Sequence, residues 1–346
     1  MYETFFNLRE RPFELTTNPD FLYLSTGHQE ALSNLQYGIS ERKGIVVLVG
    51  EAGTGKTTLI RAALASFKNP NAKLVYVNNP LLSRVEFFEL LASGFELSAD
   101  ASASKSQFLL ELNRKLAERH DAGLVTALII DEAQGLPYDL MEEVRLLANM
   151  EGATSKLLPL VLAGQSELTT RLNEVALRQL KQRIGLRCHL TSFDLRETAL
   201  YIDTRVRVAG GNAWTIFTAE AVKLIYQASR GLPRVISVVC DNALLGAFAR
   251  GRPTVDAAVV LQVCRDFDLQ PPGQGGHGAV HAPQPTTPSS HAGGPTVEPL
   301  RPASSRRASD HDGEAAPATS PSGEETEATT LRPTMPFAML RESIVR

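Results

Sequence analysis

The chain has 346 residues, of which 43% are hydrophobic and 21% charged, a composition typical of a soluble globular protein. Its formal net charge of −3 provides no overall basic field for nucleic acid or anionic lipid, although a local basic patch fits within such a total. No stretch approaches 18 uninterrupted apolar residues and the N-terminus lacks signal-peptide features, so we expect a cytoplasmic protein with no membrane span. Cys188, Cys240 and Cys264 have no metal-binding spacing and are expected to be buried in a reducing compartment.

A phosphate-binding loop follows the first predicted strand. Residues 44–49 form a continuous apolar, β-branched run, typical of a strand buried on both faces. The next eight residues match the pattern Gly-x4-Gly-Lys-Thr and a second threonine follows them; the run is Gly50, Glu51, Ala52, Gly53, Thr54, Gly55, Lys56, Thr57 and Thr58. The glycines let backbone amides surround phosphates, Lys56 is expected to reach the β- and γ-phosphates, and the Thr57 hydroxyl to bind Mg²⁺. The motif predicts that the chain binds ATP with Mg²⁺.

A second acidic motif completes the predicted site. Residues 124–130 form another buried-strand run, which ends in Asp131-Glu132-Ala133-Gln134. Asp131 is expected to hold Mg²⁺ through water, and Glu132 to polarise the attacking water. A glutamate directly after the aspartate favours hydrolysis over a pure switch. Asn78 or Asn79, after a strand predicted at 73–80, is a candidate polar switch that gates Glu132.

Strands alternate with helices over the first two thirds of the chain. Helices are predicted at about 83–94 and 105–120, a strand at 157–164, a helix from about Ser166 to Ile184 and a strand at 186–190. This alternation indicates a parallel sheet covered on both faces, with the ligand at the carboxyl ends of the strands.

From about Asp194 the strand patterns stop. The remaining predicted helices are Arg196–Ala209, Thr218–Ser229, Pro233–Arg250 and Thr254–Phe267, with Thr218 and Thr254 as candidate N-caps. The fold class is therefore α/β: a P-loop NTPase of AAA+ layout, in which a parallel-sheet domain precedes a small helical lid. We assign residues 1–193 to the core with an N-terminal strap, and 194–268 to the lid.

The composition changes sharply near Leu269. Twelve of the twenty prolines lie at or after Pro271, and no aromatic residue occurs between Pro271 and Pro336. Such a segment buries too little apolar surface to offset its chain entropy, so residues 269–336 are predicted to be disordered. In residues 337–346, Phe337, Leu340 and Ile344 share one face of a short helix. This segment is a candidate docking helix, with a frayed terminus as the alternative.

The AAA+ layout assigns roles to three further residues. Gln165, directly after the fourth strand, is the candidate sensor of the γ-phosphate or attacking water. Arg183, near the end of the helix before the last strand, is the candidate arginine finger that acts on a neighbouring subunit, with Arg178 and Arg187 as alternatives. Arg234 follows a proline at a helix start, and is the candidate lid residue that reaches the phosphates.

The chain resembles the ExeA-type family of AAA+ ATPases, also called general secretion pathway protein A, over about residues 1–268. Beyond the phosphate loop and the acidic motif, seven further segments carry the resemblance: residues 5–8, 11–13, 18–24, 28–32, 162–168, 182–184 and Gly231–Arg234. It implies that the aromatic and proline-rich segment Pro12–Leu24 lines the adenine pocket. From the residues alone, this segment is equally a hydrophobic strap.

The resemblance also implies a role in assembling envelope machinery such as secretion systems. Secretion-type members carry a membrane span and a peptidoglycan-binding domain after the ATPase, and this chain is expected to lack both. We therefore expect an ATP-dependent oligomer that is cytoplasmic, or peripheral at the inner membrane through a protein partner. The alternatives are a DNA-binding ATPase regulator of transposition type, disfavoured by the charge, and a nucleotide-regulated scaffold with negligible turnover.

Overall fold

The computed structural model of the protein describes residues 1–15, 18–67, 72–78, 81–152 and 155–269. The predictions for the tail after residue 269 and for the segment 337–346 lie outside these residues, and so does Asn79. Within the part that the structure describes, no helix is both long and apolar enough to cross a membrane.

Within the described residues, five parallel strands form the central sheet. They are β1 (Ile45–Gly50), β2 (Lys73–Val77), β3 (Thr126–Ile130), β4 (Leu160–Gly164) and β5 (Ile184–Leu190). Their order across the sheet is β2-β3-β4-β1-β5. All residues of β1, β3 and β4 are buried, as their continuous apolar runs predict. Because parallel strands end at the same edge, the segments that follow β1, β3 and β4 meet there.

Fourteen α-helices occur in the described residues. They are α1 (Tyr2–Phe5), α2 (Thr26–Ser40), α3 (Lys56–Ala65), α4 (Arg84–Gly94), α5 (Ala99–Ala103), α6 (Lys105–Asp121), α7 (Tyr138–Leu147), α8 (Ser166–Leu172), α9 (Arg178–Lys181), α10 (Leu195–Val208), α11 (Ala213–Ile216), α12 (Ala219–Ser229), α13 (Pro233–Ala249) and α14 (Ala257–Asp266). The predicted α/β class is confirmed, with helices on both faces of a parallel sheet.

Alternate residues of β1 supply two separate apolar cores. Val46 and Leu48 pack with buried residues of α2 and α3 on one face of the sheet. Ile45, Val47 and Val49 pack with α4, α6, α7 and α8 on the other. This alternation follows from the period of two along a strand. It fixes the sheet between two helical layers and holds the start of α3 directly after β1.

The structure corrects two local predictions. The single helix expected from Ser166 to Ile184 is instead α8, a 3₁₀ turn at Val175–Leu177 and α9, because Glu174 has an extended backbone (φ −68°, ψ 150°). The candidate N-cap Thr254 is also wrong. Asp256 caps α14 instead, since its carboxylate accepts the backbone N–H of Val259 at 3.0 Å. The other candidate cap, Thr218, is confirmed by its bond from the Ala221 N–H.

Helices α10–α14, which lie in the segment predicted above to be a lid and are called the lid below, form a third apolar core that includes residues from the N-terminus of the chain. Phe13 and Phe21 are buried among the lid residues, whereas Leu22 and Leu24 pack against the core of the sheet domain. The N-terminal segment therefore connects the lid to the sheet domain. Cys188, Cys240 and Cys264 are buried and free, as expected.

Candidate nucleotide-binding site

The phosphate-binding loop requires glycine at two positions for reasons of backbone conformation and space. Gly53 and Gly55 have φ values of +84° and +93°, in the left-handed region that strains other residues. A Cβ added to Gly53 would lie 2.9 Å from the Cβ of Arg234 in the lid. The loop therefore turns tightly into α3, whose N-terminal amides face the space above β1.

Lys56 lies inside this loop. Its side chain is buried, and its Nζ donates to the carbonyls of Gly50 at 2.9 Å and Glu51 at 3.0 Å. Desolvation lowers the pKa of Lys56, while the carboxylates of Glu132 and Asp131 act in the opposite direction. The ammonium group is thus held where a phosphate group bound by the loop would meet it.

Asp131 is the centre of the acidic motif at the end of β3. Its Oδ2 accepts hydrogen bonds from the Thr57 hydroxyl at 2.6 Å and from the Tyr76 hydroxyl at 2.7 Å. Its Oδ1 accepts the backbone N–H of Glu132 at 2.9 Å. Burial, and then the bond to Asp131, raise the pKa of Tyr76. The structure therefore brings together the two predicted metal-site residues, Thr57 and Asp131, and adds Tyr76, which the sequence analysis did not identify.

Glu132 lies beside the predicted sensor Gln165. Its backbone is left-handed (φ +52°), and its Oε2 accepts bonds from Gln134 Nε2 at 2.6 Å and Gln165 Nε2 at 3.2 Å. The Gln134 Oε1 also accepts the backbone N–H of Gln165 at 3.1 Å. The two glutamines thus fix each other and the carboxylate. Asn78 is exposed and is not among the described partners of Glu132.

The lid touches the phosphate-binding loop through the start of α13. The backbone N–H of Arg234 donates to the Gly53 carbonyl at 3.2 Å. Gly231, with φ +74°, packs so closely on the Phe193 backbone that a Cβ there would lie 1.9 Å from its carbonyl oxygen. The side chain of Arg234 is exposed, and within the described residues it forms no hydrogen bond or ion pair. It is therefore free to turn toward an anion at the loop.

His28 on α2 also supports the loop, and sequence reasoning assigned it no role. Its Nε2 bonds the Thr54 carbonyl at 2.9 Å, and its Nδ1 bonds the Ser25 hydroxyl at 2.8 Å. A carbonyl only accepts, so Nε2 carries the proton and Nδ1 accepts from Ser25. The ring lies 5.3 Å from that of Phe193, and burial lowers the pKa of His28.

The segment Pro12–Leu24, predicted to line an adenine pocket, contributes aromatic residues beside this histidine. The Tyr23 ring lies 5.4 Å from Phe193 and 6.3 Å from Tyr201, in edge-to-face arrangements. Buried Arg205 on α10 donates to the carbonyls of Pro12 and Glu14, the latter at 3.0 Å. The segment is thus bonded to α10 through Arg205, and its Tyr23 packs on Phe193, which also contacts His28.

Arg183 lies at the edge of the sheet opposite the loop. Its carbonyl accepts the N–H of Ile45 at the start of β1, whereas the loop follows the end of β1. Its guanidinium donates to Asn149 and to the Gln179 carbonyl, the latter at 2.9 Å. The alternatives Arg178 and Arg187 are exposed. Arg183 is therefore too remote from its own loop to act there within one subunit.

Comparisons with known proteins agree with this geometry. A family model described as an AAA domain matches residues 39–172. General secretion pathway protein A of Aeromonas hydrophila is 39% identical over 251 residues, which are 72% of this chain and 46% of that protein. The chain thus spans less than half of the length of this relative.

Two solved structures share the fold. The ORC2 protein of Aeropyrum pernix, in ADPNP–ADP complexes, gives a TM-score of 0.56 at 19% identity, over 74% of this chain and 71% of that one. CDC6P from Pyrobaculum aerophilum gives a TM-score of 0.56 at 18% identity, over 71% of this chain and 70% of that one. The 39% identity to general secretion pathway protein A and the AAA-domain match confirm the resemblance to the ExeA-type family that the sequence motifs predict.

Proposed function

We propose that this chain hydrolyses ATP in a Mg²⁺-dependent reaction, and that it uses the energy to assemble or remodel a secretion-related machinery of the cell envelope. The observation that carries the proposal is the meeting of three groups at one edge of the sheet. These are the Lys56 ammonium inside its loop, the Thr57–Asp131 pair, and Glu132 fixed beside Gln165.

The donor set at the end of β3 fits Mg²⁺. The Thr57 hydroxyl donates a hydrogen bond to Asp131, so the lone pairs of its oxygen remain free for a cation. Hydroxyl and carboxylate oxygens are the ligands that Mg²⁺ prefers, with waters filling the other positions. Thr57 would bind the ion directly and Asp131 through water. Bound there, Mg²⁺ neutralises negative charge on the β- and γ-phosphates.

The remaining residues have distinct roles in hydrolysis. Lys56 binds the phosphates, and Glu132 orients and polarises the attacking water. Gln165 donates to the carboxylate of Glu132, and this neighbourhood supports assigning its amide to the attacking water and the γ-phosphate. Arg234 approaches the phosphates from the lid, since its backbone is bonded to the loop at Gly53. Loss of the γ-phosphate would therefore alter the contacts of Arg234 in the first turn of α13.

Hydrolysis on this reading requires a second copy of the chain. Arg183 lies at the far edge of the sheet from its own loop, so it serves the site of a neighbouring subunit, where an arginine stabilises charge on the phosphoryl group in transfer. ATP would then bind between subunits, and its hydrolysis would change both the lid contact at Gly53 and the subunit contact at Arg183.

The envelope role rests on the similarity to general secretion pathway protein A, of which this chain covers less than half. The partner is a protein of that machinery, through which the ATPase would lie at the inner membrane. A capture experiment with Glu132→Gln bait tests this, because the variant retains Mg·ATP. Envelope proteins bound with ATP and released with ADP support the role. Salt-sensitive binding of duplex DNA instead would favour the transposition-type alternative.

Phosphate release by the purified chain, compared with that of Lys56→Ala, tests the enzymatic part. We expect turnover in the wild type and none in the variant, because Lys56 is the one cationic residue between Gly50 and Thr58. Nucleotide binding without turnover in both proteins would instead indicate a nucleotide-regulated scaffold.

A further inference from the structure

We propose that Tyr76 is a positioning residue of the magnesium site, whose hydroxyl sets which oxygen of Asp131 faces the ion. The inference rests on the proposed function, because it concerns the same site. The residues that hold the ion in the proposal above, Thr57 and Asp131, come from α3 and the end of β3. Tyr76 comes from β2 and adds a strand to this set.

The backbone of the sheet places Tyr76 beside Asp131. Strands β2 and β3 are paired in parallel, with Val77 opposite Ile130, and the Asp131 N–H donates to the Val77 carbonyl at 2.8 Å. Tyr76 directly precedes this anchor. Its ring packs against the apolar core between the sheet and α3, which directs the hydroxyl to the edge where the strands end. The resulting bond to Asp131 Oδ2 is 2.7 Å long.

Counting lone pairs shows what this hydroxyl does. Each carboxylate oxygen offers about two acceptor positions. At Asp131, Oδ2 accepts the Thr57 and Tyr76 hydroxyls, so it is filled, whereas Oδ1 accepts one bond from the described residues, the Glu132 N–H. The remaining position, on Oδ1, is available to a water bound to the ion. The hydrogen bond from Thr57 to Asp131 can persist when the Thr57 oxygen binds a cation, because the bond uses the hydrogen and the cation uses a lone pair.

Without the Tyr76 hydroxyl, Oδ2 would regain an open position. The carboxylate could then rotate or accept water at either oxygen. The water between Asp131 and the ion would no longer be fixed at Oδ1. Groups that hydrogen-bond to metal-binding side chains without touching the metal typically contribute a factor of about 10–100 to metal affinity or activity. We expect the lower part of this range, about tenfold, because Thr57 and the Glu132 N–H still hold Asp131.

The test is Tyr76→Phe, which removes the hydroxyl and keeps the ring on α3. Binding of a fluorescent ADP analogue is measured without Mg²⁺ and then across a Mg²⁺ titration. We expect unchanged affinity without Mg²⁺, and a midpoint for Mg²⁺ about tenfold higher than in the wild type. Tyr37→Phe, at an exposed tyrosine on α2, is the matched control and should leave both values unchanged.

Three results would overturn the inference. An unchanged Mg²⁺ midpoint would mean that the hydroxyl does not orient Asp131. A lower midpoint would mean that Tyr76 competes with the ion for the carboxylate. An equal loss of affinity with and without Mg²⁺ would mean that the hydroxyl only supports the fold. Absence of nucleotide binding by the wild type is a different outcome, which would reject the proposed function itself.

Discussion

His28 provides a sharp test of how the phosphate-binding loop is held. Its imidazole is 3% exposed, and it bonds the carbonyl of Thr54, a residue that is 0% exposed. In His28→Ala this buried carbonyl loses its donor and the Ser25 O–H loses its acceptor, and a buried acceptor without a donor costs about 1–3 kcal/mol. Together with the lost packing against Phe193, we expect the free energy of unfolding to fall by about 2–3 kcal/mol.

The same substitution should weaken nucleotide binding. The bond from His28 to the Thr54 carbonyl holds the phosphate-binding loop in place. Without it, nucleotide binding would have to order the loop, at a cost of about 1.4 kcal/mol, which corresponds to about tenfold weaker affinity. Urea unfolding and titration with a fluorescent nucleotide measure the two effects. His189→Ala, at an exposed histidine on β5, is the control. Wild-type affinity in a destabilised His28→Ala would refute the proposed support of the loop.

The pKa of His28 adds a pH signature. Burial lowers the pKa of His28 below its ordinary value of 6.5, so the unfolded chain binds the proton more readily than the folded one. The neutral form therefore contributes stability above pH 6.5, and this contribution is lost as the pH falls from there through the folded pKa. His28→Ala should show a shallower loss of stability over this acidic range. An unchanged slope would mean that other groups cause it.

Three further outcomes are expected. Gln134→Ala removes one of the two amides that bond the Glu132 carboxylate. In steady-state assays of phosphate release it should lower kcat about tenfold with little change in KM. An unchanged kcat would contradict the positioning of Glu132. Arg183→Ala and Lys56→Ala should each be inactive, with losses of about 10³-fold or more for the arginine, yet should regain turnover when mixed; failure to complement would contradict action in trans. Arg205→Ala leaves two strap carbonyls without donors, and should destabilise the fold by about 2–3 kcal/mol in urea unfolding; wild-type stability would show that water replaces the guanidinium.

The sheet and the phosphate-binding residues could be predicted because local sequence determines them. Strands β1, β3 and β4 are buried on both faces, so their apolar runs are continuous, and the loop needs glycines at fixed positions. The break at Glu174 could not be predicted in this way. The surrounding residues form helices readily, and only the backbone angles of Glu174 end the pattern.

The supporting residues were missed because their partners are distant in sequence. Tyr76 and Asp131 are separated by 55 positions, and His28 and Thr54 by 26. Within β2, Tyr76 fits an ordinary half-buried strand residue, and its hydroxyl gives no local signal. The available signal for His28 was its place three residues after the helix cap Ser25, inside a motif that carries the family resemblance. Neither role follows without the register of β2 with β3 or the packing of α2 on the loop.

In the proposed site, Glu132 activates the attacking water between the loop and the end of β3. Its most direct test compares Glu132→Gln with the wild type for both Mg·ATP affinity and phosphate release. Glutamine can still accept the bonds from Gln134 and Gln165, so the geometry of the site should persist while the base is lost. The account predicts unchanged affinity and a fall in turnover of about 10²–10⁴-fold. Turnover at the wild-type rate in Glu132→Gln would contradict it.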